Sequence, residues 1–152
     1  MSRPFPLKPL LDLTQTRLDD AAKALGELVA KETEHSQKLQ LLEEYRQDYF
    51  QRFEQAALDG ISPDMWRNYS AFIARIDEAI AAQQDVLARA RQNTAAGKQE
   101  WVGHRNRLKA YTTLEGQHLQ RENRRELRAE QKQLDEHTST LLRRRIENSV
   151  EE

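Results

Sequence analysis

The chain has 152 residues, with 24 Lys and Arg against 25 Asp and Glu and a formal net charge of −1, so charge gives no case for nucleic acid or an anionic membrane as the main partner. Ala, Glu, Lys, Leu and Arg make up half of it, which points to long helices or coiled coil, and five glycines with four prolines leave too little punctuation for a compact α/β domain. The absence of cysteine excludes disulfides and thiolate metal sites and suits a reducing cytosol, and 7% aromatic residues exclude a large globular core.

In chain order, the first stretch carries Pro4, Pro6 and Pro9 and no apolar run of signal-peptide length. Nothing later approaches the roughly 18 apolar residues of a membrane span, so a soluble, unsecreted protein is expected. A first helical pattern then runs over about 10–58. Leu11, Leu18, Leu25, Leu39 and Phe53 fall on one seven-residue ladder, and Ala21, Leu28, Leu42, Tyr49 and Ala56 fall on its companion. Such a ladder is a narrow coiled-coil seam rather than the wide apolar face of a globular helix. Thr14, Glu32, His35 and Arg46 interrupt it; polar seam residues of this kind can fix register.

The one strong break is Asp59 to Asp64, predicted as a turn over 59–64. Gly60 can take the left-handed conformation that ends a helix, Ser62 can cap the next, and Pro63 stands where a missing N–H costs nothing. A second pattern follows over about 63–141, with Trp66, Ile73, Ile80, Leu87, Trp101 and Leu108 on one ladder and Tyr69, Ile76, Ala90 and Tyr111 on the other. Folding the chain back at the turn opposes residues whose numbers add to 122, such as Ala56 with Trp66, Phe53 with Tyr69, and Ala21 with Trp101. The expected fold is all-α: one elongated domain over 1–152, a long antiparallel two-helix coiled coil (an α-hairpin) whose paired part would measure roughly 70–75 Å. Tyr111 faces Leu11, so the chain from about Thr112 is expected to form a C-terminal helical overhang with frayed ends. There Arg121, Arg124, Arg125, Arg128, Lys132 and Arg143 to Arg145 mingle with acids. The overhang reads either as a solvated helix laced with ion pairs or as a docking surface for a partner.

Tests for chemistry fail. Ala96-Gly97-Lys98-Gln99 has only the tail of a phosphate-binding loop and lies mid-helix; Gly97 instead faces Leu25. Glu32 with His35 and Glu115 with His118 have the spacing of carboxylate–histidine metal pairs, but the hairpin register keeps them far apart. No Ser-His-Asp set can be assembled from neighbouring seam positions. The expectation is no catalytic, cofactor-binding or metal-binding residue and no enzymatic activity. Tyr45 and Phe72 are more informative, because each precedes a seam residue and the two rows meet on one side of an antiparallel pair. With Leu42, Tyr49, Ile76 and Ala79 they make an apolar flank, which either widens the seam or offers a partner site.

The block Tyr45-x-x-x-Tyr49, Gly60-Ile61-Ser62, Trp66-x-Asn68-Tyr69-x-x-Phe72-Ile73 and Ala79-Ile80 resembles the FliJ family, the small coiled-coil component of the bacterial flagellar type III export ATPase complex. Asp20-Ala21-Ala22-x-x-Leu25-Gly26-Glu27 and Gln131-Lys132-x-x-Asp135-Glu136 extend the resemblance over nearly the whole chain. It implies a hairpin similar to the rotor stalk of rotary ATP synthases. The implied role is non-enzymatic: linking the export ATPase hexamer (FliI) to the export gate protein FlhA and assisting export chaperones. Such a protein is cytoplasmic, without membrane insertion, at the inner-membrane face of the flagellar base. The implied gate-binding residues are Leu42, Tyr45, Tyr49, Phe72, Ile76 and Ala79, while Lys38 and Gln83 depart from the Gln and His expected nearby. The ATPase contact is implied toward the paired termini. A self-associating coiled-coil spacer without an export role is the alternative reading of the same pattern.

Overall fold

A computed structural model describes residues 2–151. Among these there are two helices, α1 (Lys8–Asp59) and α2 (Pro63–Glu151), and no strand; they pack as an antiparallel hairpin. The break between them follows from local chemistry. Gly60 has φ 90°, a region that costs an L-residue roughly 1–2 kcal/mol, and its N–H donates to the Ala57 carbonyl at 3.3 Å. Ser62 then caps α2, accepting the Met65 N–H on its Oγ at 3.2 Å, with Pro63 in the first helical position.

The chain divides into two compact units, each built from both helices. The first spans Leu18–His104 and contains the turn. Within it, the residues of α1 that are not exposed are Leu18, Ala21, Leu25, Leu28, Glu32, His35, Leu39, Leu42, Arg46, Tyr49, Phe53 and Ala56, alternately three and four apart. That is the seam expected of a coiled coil. Opposed contacts centre on the predicted register: the Phe53 and Tyr69 rings lie 5.5 Å apart, and Thr94 Oγ1 donates to the Leu28 carbonyl at 3.4 Å. Gly97 faces Leu25 and Leu28, and a Cβ there would stand 2.7 Å from Leu28 Cδ1, so the missing side chain makes room for the seam. Two helices enclose a side chain only partly, and Ile76 and Leu87 are the only apolar residues counted as buried among those described.

The polar interruptions of this seam are engaged. Gln83, buried in the seam, donates from Nε2 to the His35 carbonyl at 3.0 Å and lies 3.5 Å from His35 Nδ1. Glu32 pairs with Arg91 at 3.7 Å, and Arg46 makes two hydrogen bonds to Asp77. Those hydrogen bonds, followed by the Asp77 charge, raise the Arg46 pKa still further above the neutral range. The arginine's share of that pairing is therefore fully present across the neutral range and fades only in strong alkali, leaving Arg46 charged.

Trp66 departs from the seam assigned to it. It is 52% exposed, because at the fourth position of α2 it has the turn beside it rather than a further layer of helix.

The second unit joins the residues up to Arg17 with those from Arg105 onward. It corrects the expected start of the overhang. Ahead of α1, residues 2–7 run as a strap along α2 and cover it beyond the point where helix pairing ends. The reason is geometric: residues 2–5, with Pro4 among them, lie outside any helix and advance farther per residue than the roughly 1.5 Å of α2, before a turn at Pro6 and Leu7, closed by the Lys8 N–H on the Phe5 carbonyl at 3.2 Å, leads into α1. The seam of α2 accordingly continues through Glu115, His118, Glu122 and Glu126, and the exposed overhang begins at Leu127. Helix α2 also runs to Glu151 rather than to 141, since the last stretch holds neither Gly nor Pro.

Candidate docking site

Near the turn, α1 and α2 bring six aromatic rings into one cluster, Phe50 reaching it through Phe53 at 6.2 Å. Tyr49 is its centre, with ring centroids 4.3 Å from Phe72, 5.4 Å from Tyr69 and 6.4 Å from Tyr45; Tyr45 meets Phe72 edge-on at 6.1 Å. Phe53 joins through Tyr69. Spacings and tilts of this kind suit the ring quadrupoles, and each pair is worth roughly 0.5–1.5 kcal/mol beyond area burial. The helical spacing explains why these rings meet: Tyr45 and Tyr49 are one turn apart on α1, and Tyr69 and Phe72 are one turn apart on the facing stretch of α2.

The six residues singled out from the sequence divide by depth. Tyr45 is 51% exposed and Ala79 is exposed; Leu42, Tyr49 and Phe72 are half-buried; Ile76 is only 6% exposed. A partner laid on this strip would touch Tyr45, Phe72 and Ala79 directly. Ile76 supports the strip from beneath.

Two shallow grooves bracket the strip on the same side. One, toward the turn, is lined by Tyr49, Arg52, Met65, Asn68 and Tyr69. The other, away from the turn, is lined by Leu28, Lys31, His35, Val86, Arg89, Ala90 and Asn93. Apart from Tyr49, these lining residues lie outside the set expected from the sequence, although Lys31, Lys38 and Arg52 share the seven-residue row of Tyr45, and Met65 and Val86 share that of Phe72 and Ala79. That shared row was the available signal.

In the other unit, the strap is tied to α2 by a run of polar contacts. His118 Nε2 donates to the Arg3 carbonyl at 2.9 Å, the Arg3 N–H donates to Glu122 at 3.3 Å, and Ser2 Oγ donates to Glu126 at 2.6 Å, while Lys8, the first residue of α1, pairs with Glu115 at 3.6 Å. The Phe5 ring lies 5.7 Å from that of His118. Glu122, buried under the strap, is also bound by Arg125 at 2.8 Å. Both Glu-x-x-His pairs are thus occupied by protein partners, and among the described residues no cluster of His, Asp or Glu could hold a metal ion. No helix among them is long and apolar enough to cross a membrane.

Comparison with known proteins bears on this arrangement. The profile of the family "Flagellar FliJ protein" matches residues 2–147. The flagellar FliJ protein of Salmonella typhi is 28% identical over 147 residues, covering 97% of this chain and 100% of the relative. That of Escherichia coli (strain K12) is 28% identical over 141 residues, covering 93% and 96%. Among solved structures, that of a YscO homolog from Chlamydia trachomatis is similar in fold, with a TM-score of 0.50 and 19% identity over 93% of this chain and 95% of its own.

Proposed function

This chain belongs to the FliJ family of flagellar proteins, and on that premise we propose that it is a non-enzymatic link in the flagellar export apparatus, joining the export ATPase to the export gate. The observation that carries this reading is the aromatic strip beside the turn, where the exposed ring of Tyr45 lies over the packed rings of Tyr49 and Phe72. A large aromatic side chain half-open to solvent on a rigid two-helix support has the character of an interface anchor. In this account the strip docks on the cytoplasmic region of FlhA.

The exposed part of α2 beyond Glu126 engages the FliI hexamer. Its leucines Leu127, Leu134 and Leu141 recur at seven residues, each more than half exposed, and cations surround them. The reading requires no active site: hydrolysis takes place on one partner and transport through the other, and this chain couples them by binding both. Delivery or return of export chaperones is part of the same role, as is residence at the cytoplasmic face of the inner membrane. The test is capture on the immobilised full chain. Purified FliI and the cytoplasmic region of FlhA should each be retained, and FliI retention should fail when the chain is cut back to residue 126 while FlhA retention persists. Loss of neither partner on that truncation, or failure to retain either with the intact chain, overturns the assignment.

A further inference from the structure

The two flanks of the unit Leu18–His104 treat their charges differently. On the flank carrying Asp77 and Arg91, both charges are taken up by pairs made with seam residues, Arg46–Asp77 and Glu32–Arg91. On the Tyr45 flank the cations Lys31, Lys38 and Arg52 from α1, with Arg75 and Arg89 from α2, are all exposed, and none is ion-paired among the described residues. Between them runs an apolar row along α2: Met65, Phe72, Ala79 and Val86, seven apart, with Tyr45 laid against it. The next row out on α2 is Asn68, Arg75, Ala82, Arg89 and Ala96, without a carboxylate; acids stand one turn from these cations on rows farther from the apolar row, Glu34 and Asp48 on α1 and Glu78 and Asp85 on α2, and none of the four forms an ion pair with them.

From this we infer that the occupant of the strip is an acidic amphipathic helix, laid along the Tyr45 flank as a third helix, its apolar residues on the Met65–Val86 row and its carboxylates on the free cations. The inference rests on the docking reading above and names the chemistry of the partner. The two grooves mark its reach: from Met65 to Asn93 the helical rise gives about 42 Å, the length of a helix of about 28 residues. An unpaired row of one sign with an apolar row beside it selects an acidic partner and repels a basic one. A second copy of this chain is disfavoured by the same charges, because a two-fold contact through this flank would set Lys31, Lys38, Arg52, Arg75 and Arg89 against themselves. A nucleic acid strand would use the cations but leave the apolar row between them without a partner.

The test uses the full chain and a labelled synthetic amphipathic peptide of about 28 residues, leucines alternating three and four apart with glutamates between, beside a twin carrying lysine for each glutamate. By fluorescence anisotropy the acidic peptide should bind at least about tenfold more tightly than its twin, and its affinity should fall at least about tenfold between roughly 50 and 300 mM salt. Lys38→Glu with Arg89→Glu should weaken it by at least about tenfold, whereas Glu43→Lys on the other flank should not, with both variants as helical as the parent. Equal binding of the twins, or undiminished binding by the reversed variant, overturns the inference. Displacement of the acidic peptide by an equal concentration of single-stranded DNA also overturns it, assigning the flank to phosphate. The FlhA cytoplasmic region separates the two levels. If Tyr45→Ala with Phe72→Ala abolishes its capture but Lys38→Glu with Arg89→Glu does not, the docking reading stands and the acidic partner falls; if neither pair matters, both fall.

Discussion

Tyr45 and Tyr49 stand one helical turn apart in the same strip, yet their burial predicts unequal costs of truncation. Tyr49 is half-buried against Phe72, Tyr69 and Tyr45, whereas Tyr45 is 51% exposed and meets only the rings of Tyr49 and Phe72. Removing a fully buried aromatic side chain costs about 3–5 kcal/mol, and roughly half that burial at Tyr49 sets the expected cost of Tyr49→Ala at about 2 kcal/mol. For Tyr45→Ala the lost contact is offset by the better helix propensity of alanine, about 0.5 kcal/mol, which leaves a net cost below about 1 kcal/mol. Urea unfolding followed by helical circular dichroism measures both. With a slope of about 1–3 kcal/mol per M, the Tyr49→Ala midpoint should fall by about 1 M and the Tyr45→Ala midpoint by much less. A Tyr45→Ala variant as destabilised as Tyr49→Ala would refute the division between support and contact surface. If the division holds, binding lost in Tyr45→Ala is a lost contact and not a damaged hairpin.

Three further outcomes follow from particular contacts. Gln83→Leu should stabilise the chain by about 1 kcal/mol in thermal melts, because the apolar burial gained exceeds one hydrogen bond to a His35 carbonyl that already accepts within its own helix; a loss of 1 kcal/mol or more would make that bond a structural requirement. Gly60→Ala should cost about 1 kcal/mol, since alanine must adopt φ 90° in otherwise open space, and an unchanged melting temperature would contradict this. Phe5→Ala should loosen the strap, read as faster amide exchange over residues 115–126 of α2 with exchange at Leu87 unchanged. Equal protection in parent and variant would show that the polar contacts alone hold the strap.

The hairpin was legible because its determinants are local or periodic. Gly60, Ser62 and Pro63 each act through their own backbone chemistry, and the seam residues repeat at seven, so turn and register could be read without a structure. The strap was not legible, because an extended proline-bearing segment has no periodicity to announce what it lies against; only the contacts of Arg3, Phe5 and Lys8 reveal it. Periodicity also misjudged Trp66, which keeps the heptad spacing in the last layer before the turn, opposite the small Ala56. For the candidate site, one position's offset from the seam was enough to find Tyr45 and Phe72. Depth was invisible: Ile76 and Tyr45 belong to the same apolar set in sequence, yet one is 6% exposed and the other 51%. The unpaired cations of the Tyr45 flank escaped notice because net charge averages over both flanks, and only the cross-seam pairs of Arg46 and Glu32 separate them.

The most direct test of the central claim, that the strip beside the turn is a docking surface for the export gate, is titration of the FlhA cytoplasmic region with the parent chain and with a variant carrying Tyr45→Ala and Phe72→Ala. Helical circular dichroism of each should establish that the hairpin is folded. The account predicts that the folded variant loses binding by about tenfold or more, as expected for removal of two interface aromatics. Undiminished affinity in a folded variant would contradict it and return Tyr45 and Phe72 to the role of shielding the seam.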